Sequence, residues 1–310
     1  MINIDIHADD YALTVNTSKD MLECMSNGLL DSISILCNMD CFEECMQMFY
    51  DMIPSMPFLP LISVHIDLIE GKNISQEVPL LSKEGKMSLS WKDVYFMSFS
   101  GKRNELKKEL KKEIKAQIDK VNTVLNRCIA IAEENNVPHQ QKGIRIDSHQ
   151  HIHSIPLVFD ALAETIEENN YPIEYIRNPK EPLLPFLTQF SLWKTYRPVN
   201  FIKNRLLMFY SGKNDRYCDD HHMEKMLMWG LMMSGKMDAE RIKKIIPEMK
   251  RTAEKENRRL ELLFHPGLAF ESERNKLIPE ESMNDFYLNK NRHVEKNAVM
   301  QIKEIIEERP

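Results

Sequence analysis

Arg145-Ile-Asp-Ser-His-Gln-His-Ile-His153 runs an apolar strand signal into three alternating histidines. With ten His in 310 residues, chance yields such a frame in roughly one chain of this length per hundred. Three other strand-like segments also end in His or Asp: Ile4-Asp-Ile-His-Ala-Asp-Asp10, Leu61-Ile-Ser-Val-His65 and Leu260-Glu-Leu-Leu-Phe-His265. A fold that gathers strand ends at one rim makes these four scattered segments into one site.

Outward from these segments, short strands alternate with amphipathic helices. Strands are expected at 2–7, 32–37, 61–65, 144–147, 173–177 and 260–265, with a further candidate at 227–233. Helices are expected at 17–27, ended by Gly28 as a C-cap, at 41–51, 157–169 and 239–257, the last N-capped by Asp238, and near 294–308. The clearest helix is 104–135, where Leu106, Leu110, Ile114, Ile118, Val121, Leu125 and Ile129 recur at three or four. Residues 66–102 and 180–225 read as excursions; long loops of this kind are usually functional. Strands with no alternation in polarity, spaced by helices, predict a parallel sheet covered by helices. At this length a (β/α) barrel, complete or irregular, fits better than an open sheet, as one catalytic domain over 1–310. Its active site is expected at the C-terminal strand ends.

Composition narrows the classes. Hydrophobic content of 43% and charged content of 28% are those of a globular protein. A net charge of −6 argues against nucleic acid as partner. Met1 leads directly into a strand pattern, and no apolar run reaches the roughly 18 residues that span a bilayer. The expectation is a cytoplasmic protein without a membrane partner. Cys24, Cys37, Cys41, Cys45, Cys128 and Cys218 read as free, mostly buried thiols. Met226-Leu-Met-Trp-Gly-Leu-Met-Met233 reads as core filling. With only nine glycines there is no G-x-G-x-x-G, P-loop or G-x-S-x-G. A homodimer stays open.

Strand-end His and Asp are the donors that a catalytic divalent metal takes while keeping a position for water. In Asp9-Asp10 one carboxylate can bind a metal while its neighbour faces the water, although a solvated turn is the plainer reading of an isolated pair. His65 can equally be a satisfied half-buried imidazole. Asp147-Ser148-His149 offers a ligand with a carboxylate nearby to orient it. His265-Pro266-Gly267 sets an imidazole at a strand end, where it can act as general acid or base. An extended strand would put His149, His151 and His153 on one face, whereas a helix would align only the first and last. Together these residues favour a metal-dependent hydrolase.

The order of these motifs resembles the YdjC-like carbohydrate deacetylases, which include chito-oligosaccharide deacetylases. The resemblance rests on His7-Ala-Asp-Asp-Tyr-Ala-Leu13, Val64-His-Ile-Asp-Leu-Ile-Glu-Gly71, Asp147–His153 and Phe264-His-Pro-Gly267, with Asn27-Gly-Leu-Leu-Asp-Ser32 and Trp229-Gly…Ser234-Gly in support. It covers residues 1–270 and implies an irregular barrel of the polysaccharide-deacetylase kind, one divalent metal (Mg or Zn) and removal of an N-acetyl group from an amino sugar or oligosaccharide. It further implies Asp10, His65 and His149 as ligands, Asp9 as base and His265 as acid. Asp147, His151, His153, Arg177 and Tyr11 would orient these groups or bind substrate. Tyr11-Ala12 stands where the family has Phe-Gly, and His65-Ile-Asp-Leu-Ile-Glu70 where His-x-Asn-Leu-Thr-Glu is usual; both departures bear on substrate choice. Two rival readings remain: a phosphoesterase on a similar barrel, which more often gathers two or three metals, and a sugar-binding relative without activity.

Overall fold

The computed structural model describes residues 4–274, 286–289 and 292–307. The chain opens with β1 (Ile4–Tyr11), α1 (Val15–Ser26), β2 (Ser32–Ile35), α2 (Phe42–Met52) and β3 (Leu61–Ile66). A small hairpin, β4 (Ser82–Lys83) and β5 (Lys86–Met87), precedes α3 (Trp91–Met97) and the long α4 (Arg103–Glu134). Next come β6 (Ile144–Ser148), α5 (Pro156–Asn169), β7 (Ile173–Ile176), α6 (Leu184–Thr188) and α7 (Pro198–Asp220). The last described elements are β8 (Met226–Trp229), α8 (Ala239–Lys255), β9 (Arg259–Phe264), α9 (Arg292–Met300) and α10 (Ile302–Glu307).

The main sheet has seven parallel strands in the order β7-β6-β3-β2-β1-β9-β8. It curls into an irregular (β/α) barrel with helices around it. Arg177, just beyond β7, therefore reaches Asp9 on β1 and Glu261 on β9 across the interior. Between β7 and β8 no ladder forms among the described residues. There the Lys180 carbonyl accepts from the Met228 N–H (3.1 Å), and the Glu181 carboxylate accepts from the backbone of Gly230, Leu231 and Met232.

The strands correct one expectation. They are not uniformly apolar; they alternate. Ile6, Ala8, Ile33, Ile35, Ile62, Val64, Ile144, Ile146, Leu260 and Leu262 face the helices as core. The intervening Asp5, His7, Asp9, Ser32, Ser34, Ser63, His65, Arg145, Asp147 and Glu261 are buried too. Because side chains alternate across a strand, these polar residues fill the barrel interior. A buried charge is tolerable only when paired, and the lumen pairs them: Arg145 with Asp5 (3.3 Å), Ser32 with Asp5 (2.6 Å) and His7 with Ser32 and Ser34 (2.6 Å each).

Local chemistry accounts for most boundaries. Thr14 and Thr17 form a capping box, so α1 starts two residues earlier than its apolar pattern, and Gly28 closes it at φ +64°. Asp238 caps α8 through the Arg241 N–H at 2.8 Å. The 66–102 excursion is not a bare loop, since it carries the hairpin and α3. The 180–225 excursion carries α6, the 3₁₀ turn Phe190–Thr195 and α7. The candidate strand at 227–233 shortens to Met226–Trp229, and its methionines are core, as expected. The six cysteines are free, and five of them buried. The C-terminal helix divides into α9 and α10; residues 308–310 and the expected strand start at Ile2 lie outside the described residues.

Candidate active site

The site forms where β1, β3 and β6 end. The register of β3 on β6 sets His65 directly beside Asp147, and His65 Nδ1 lies 2.6 Å from Asp147 Oδ1. That contact leaves Nε2 facing Asp10 Oδ1 at 3.3 Å. In a regular strand Asp9 would face the lumen and Asp10 the helices. The β1–β2 register instead shifts between Ala8 and Tyr11, and Asp10 takes φ +70°. This bulge, in a conformation Asp tolerates better than most residues, turns Asp10 back so that both carboxylates face the rim.

Beyond β6 the chain turns sharply, with Gln150 and His151 at φ +50° and +55°. The three histidines therefore share neither a strand face nor a helix face. His149 Nδ1 approaches Asp10 Oδ1 (2.9 Å), and its Nε2 lies near Glu70 Oε1 (3.3 Å) and the Tyr287 hydroxyl (2.9 Å). His153 turns under the rim: its Nε2 donates to the Arg177 carbonyl (2.7 Å), and Nδ1 accepts from Ser148. Burial pushes His153 down to about 4. Burial, reinforced by the Arg177 charge, holds His151 well below the usual imidazole range, and its buried Nδ1 has no hydrogen-bond partner among the described residues.

Asp10, His65 and His149 place one ligand atom each within 4.8 Å of one another, all buried. Burial disfavours charge on His65, but Asp9, Asp147 and Asp10 outweigh it and raise His65 to about 10. His149 is likewise raised, by Glu70 and Asp10 against burial. Burial would lift the Asp10 carboxyl, yet His149 and His65 hold it well below the usual carboxylate range. Asp9 is held low in the same way, with Arg177 as the main opposing charge. Arg177 Nη1 sits 2.9 Å from both Asp9 oxygens, Nη2 3.2 Å from Asp147 and Nε 2.7 Å from Glu261.

His265, just past β9, is the most open of these imidazoles, at 17% exposure. Its backbone N–H donates to Glu295 (2.7 Å), and its ring meets Phe286 edge-on. The structure does not bring Tyr11 to the site. Tyr11 is fully buried, its hydroxyl donates to the Cys45 carbonyl (2.7 Å), and its ring packs on Phe49.

Four contributors escape sequence reasoning: Glu70, Tyr287, Arg292 and Glu295. Glu70 carries a signal, because Gly71 follows it at φ +70°, where a Cβ would lie 2.8 Å from the Asn38 carbonyl. Arg292 is buried, with Nη2 3.8 Å from Asp10 Oδ2. The donor set suits a divalent cation. Hard carboxylate and imidazole ligands converge, and the distal ring nitrogens of both histidines are held by carboxylates, as around metal-bound histidine. Asp5, Asp9, Asp10, Glu70, Asp147 and Glu261 also outnumber the buried guanidiniums Arg145, Arg177 and Arg292. A divalent cation would offset two of those three excess negative charges.

Fold and site thus define a β/α-barrel protein with a candidate metal centre at its C-terminal rim. Sequence comparison gives the family: the profile described as YdjC-like protein matches residues 3–129 and 143–304, and the chain belongs to this family. It is 30% identical over 179 residues, 58% of this chain, to a protein of Thermoanaerobacter pseudethanolicus named carbohydrate deacetylase. A protein of Clostridium beijerinckii with the same name is 25% identical over 56% of this chain. These alignments span 62% and 59% of those relatives. A solved structure from Enterococcus faecalis, described as a candidate cellobiose-phosphate cleavage protein, shares the fold. Its TM-score is 0.55 and its identity 17%, over 98% of this chain and 94% of that one.

Proposed function

We propose that this protein is a metal-dependent hydrolase that removes an N-acetyl group from an amino sugar or chito-oligosaccharide. The observation that carries the reading is the adjacency of an ionised, Arg-held Asp9 to the Asp10–His65–His149 cluster, with His265 open at the same rim. The names of the aligned relatives support the substrate class.

A divalent cation on Asp10, His65 and His149 would polarise the acetamide carbonyl and acidify an attacking water. Asp147 fixes the His65 ring through Nδ1, and Glu70 and Tyr287 fix His149 through Nε2. Asp9 takes the proton of the attacking water, and Arg177 holds it ionised and aimed. His265 returns a proton to the departing amine, which leaves poorly as an anion. His151 offers a buried polar atom to a sugar hydroxyl.

The carboxylates open to further metals are already engaged. Two other lumen clusters, Asp5–His7–Glu261 and His7–Asp9–Asp147, could in principle take an ion. Arg177 reaches a carboxylate of each, which favours one metal over the several of a typical phosphoesterase. Acetate release from a panel of N-acetylated sugars, with and without chelator, tests the reading. Release abolished by chelator and restored by metal is expected; hydrolysis of a phosphate ester without any acetate release would overturn it.

A further inference from the structure

Helix α7 turns a mixed face inward, with Asn204, Ser211 and Asn214 buried beside Leu207 and Cys218, whereas Val199, Ile202 and Phe209 stand in solvent along the opposite face at 50%, 70% and 79% exposure. Just before it, Leu184, Leu187, Phe190 and Trp193 are exposed as well. Polar residues normally take the solvent side of a surface helix, and contiguous apolar exposure of this kind marks a contact surface. Two of these positions tie the helix down: Asn204 donates to the Glu181 carbonyl (2.8 Å), and the Ser211 backbone carbonyl accepts from Asn178 (3.1 Å).

Charge follows the same boundary. From Pro182 to Asn214 the sequence contains no Asp or Glu, yet it carries Lys194, Arg197, Lys203, Arg205 and Lys213 in a chain of net charge −6. Among the described residues, Lys194, Arg197 and Arg205 have no carboxylate within 4.0 Å and are exposed. The surface continues onto α3, where Tyr95 meets Tyr210 (3.0 Å between hydroxyls) and Phe96 and Phe99 are exposed. The start of this crest lies just past the C-terminal end of β8, where Asn200 donates to the Met232 carbonyl (3.3 Å) and Lys236 to the Thr195 carbonyl (3.1 Å).

We infer that this crest docks on an anionic phospholipid bilayer, lying in the interface with its aromatic and aliphatic side chains among the lipids and its cations at the headgroups. The composition selects this occupant. A twofold contact of the crest with a second copy would set cations against cations with no acid in the segment to pair them. A sugar chain would stack on the aromatic rings but has little use for Leu184, Leu187, Val199 and Ile202. No described helix is long and apolar enough to cross a membrane; lying on a bilayer asks only for an amphipathic face.

The test is co-sedimentation of the full chain with phosphatidylcholine vesicles, with and without phosphatidylglycerol. Retention on the anionic vesicles alone is expected, with a blue shift of tryptophan fluorescence that Trp193→Ala removes. Ile202→Ser/Phe209→Ser and Lys194→Glu/Arg197→Glu should each lower partitioning about tenfold or more, with circular dichroism and zinc affinity unchanged to show an intact fold. No retention at low salt, or retention that both double variants preserve, would overturn the inference. So would a concentration-dependent dimer that Ile202→Asp abolishes, or binding of soluble N-acetylated oligosaccharide that the double variants lose. None of these readouts depends on the proposed hydrolysis.

Discussion

The candidate site has two walls of different construction. One consists of strand ends: Asp9 and Asp10 on β1, His65 on β3, Asp147 on β6 and His149 immediately after it. The other consists of late groups set outside the sheet: His265 in the segment past β9, Tyr287, and Arg292 and Glu295 on α9. In the first wall, ladder register sets the contacts; His65 faces Asp147 because the two are paired residues of adjacent strands. In the second wall, contacts come from segments with no ladder, such as the Tyr287 hydroxyl on His149 and the Glu295 carboxylate on the His265 backbone. Strands suit groups that must hold fixed distances, and segments outside the sheet suit groups that meet a variable substrate. In the proposed function, ligands and base belong to the first wall, and acid and substrate contacts to the second.

The largest expected effect breaks the first wall at its base. Asp9→Asn keeps the shape and the ligand cluster but removes the proton acceptor, so kcat should fall about 10³-fold or more while zinc affinity changes little. His265→Ala, on the second wall, should cost about 10²-fold, and less with substrates whose leaving amine is more acidic. An Asp9→Asn protein with near-native kcat would end the assignment of the base to the strand wall. Equal His265→Ala losses across leaving groups would do the same for the acid.

A loop-borne carboxylate also replaces a ladder on the open side of the barrel. Glu181 accepts backbone N–H bonds from Gly230, Leu231 and Met232 at 2.9, 3.1 and 2.9 Å where β7 and β8 do not pair. Burial pushes it up to about 7 in spite of those donors. Its folded pKa exceeds its unfolded one, so between about 4.5 and 7 the native state binds the extra proton, and stability falls as pH rises. The loss through that window is on the order of 3 kcal/mol. Glu181→Gln cannot ionise, so the variant should show a flatter stability–pH curve and should gain on the parent from pH 5 to pH 8. Urea unfolding at several pH values measures this; parallel curves would mean that Glu181 titrates alike in both states.

The two walls also differ in how far the sequence reveals them. Strand-end His and Asp stand out because Ile-Arg-Ile-Asp or Ile-Ser-Val-His is a strand that stops on a ligand type. The interior misleads for a related reason. Ser32-Ile-Ser-Ile and Ile144-Arg-Ile-Asp do alternate, but a parallel sheet is expected to bury apolar residues on both faces, and this barrel fills its lumen with ion pairs instead. The bulge that turns Asp10 inward and the positive φ at Gln150 and His151 leave no trace in residue type. Tyr287 and Arg292 lack a motif because their placement depends on the path of the chain after β9. Tyr11 shows the opposite error, since proximity to Asp10 in sequence puts it beside the site while the same bulge that turns Asp10 inward sends it out to Phe49 and α2.

The sharpest comparison of the walls sets Asp147→Asn against Tyr287→Phe, because each removes one partner of a candidate ligand histidine. Asp147 is the carboxylate at 2.6 Å from His65 Nδ1, and its charge makes that ring a better ligand. Replacing it with the neutral amide should lower zinc affinity about 10- to 100-fold, the usual cost of losing such a partner. His149 Nε2 has two partners, Tyr287 at 2.9 Å and Glu70 at 3.3 Å. When the hydroxyl goes, the Glu70 carboxylate remains to hold the ring, so Tyr287→Phe should cost only a few-fold. Zinc titration of both variants decides the matter. Equal losses would make Tyr287 as much a support of the ligand cluster as any strand residue, and the distinction between the walls would then rest on position alone.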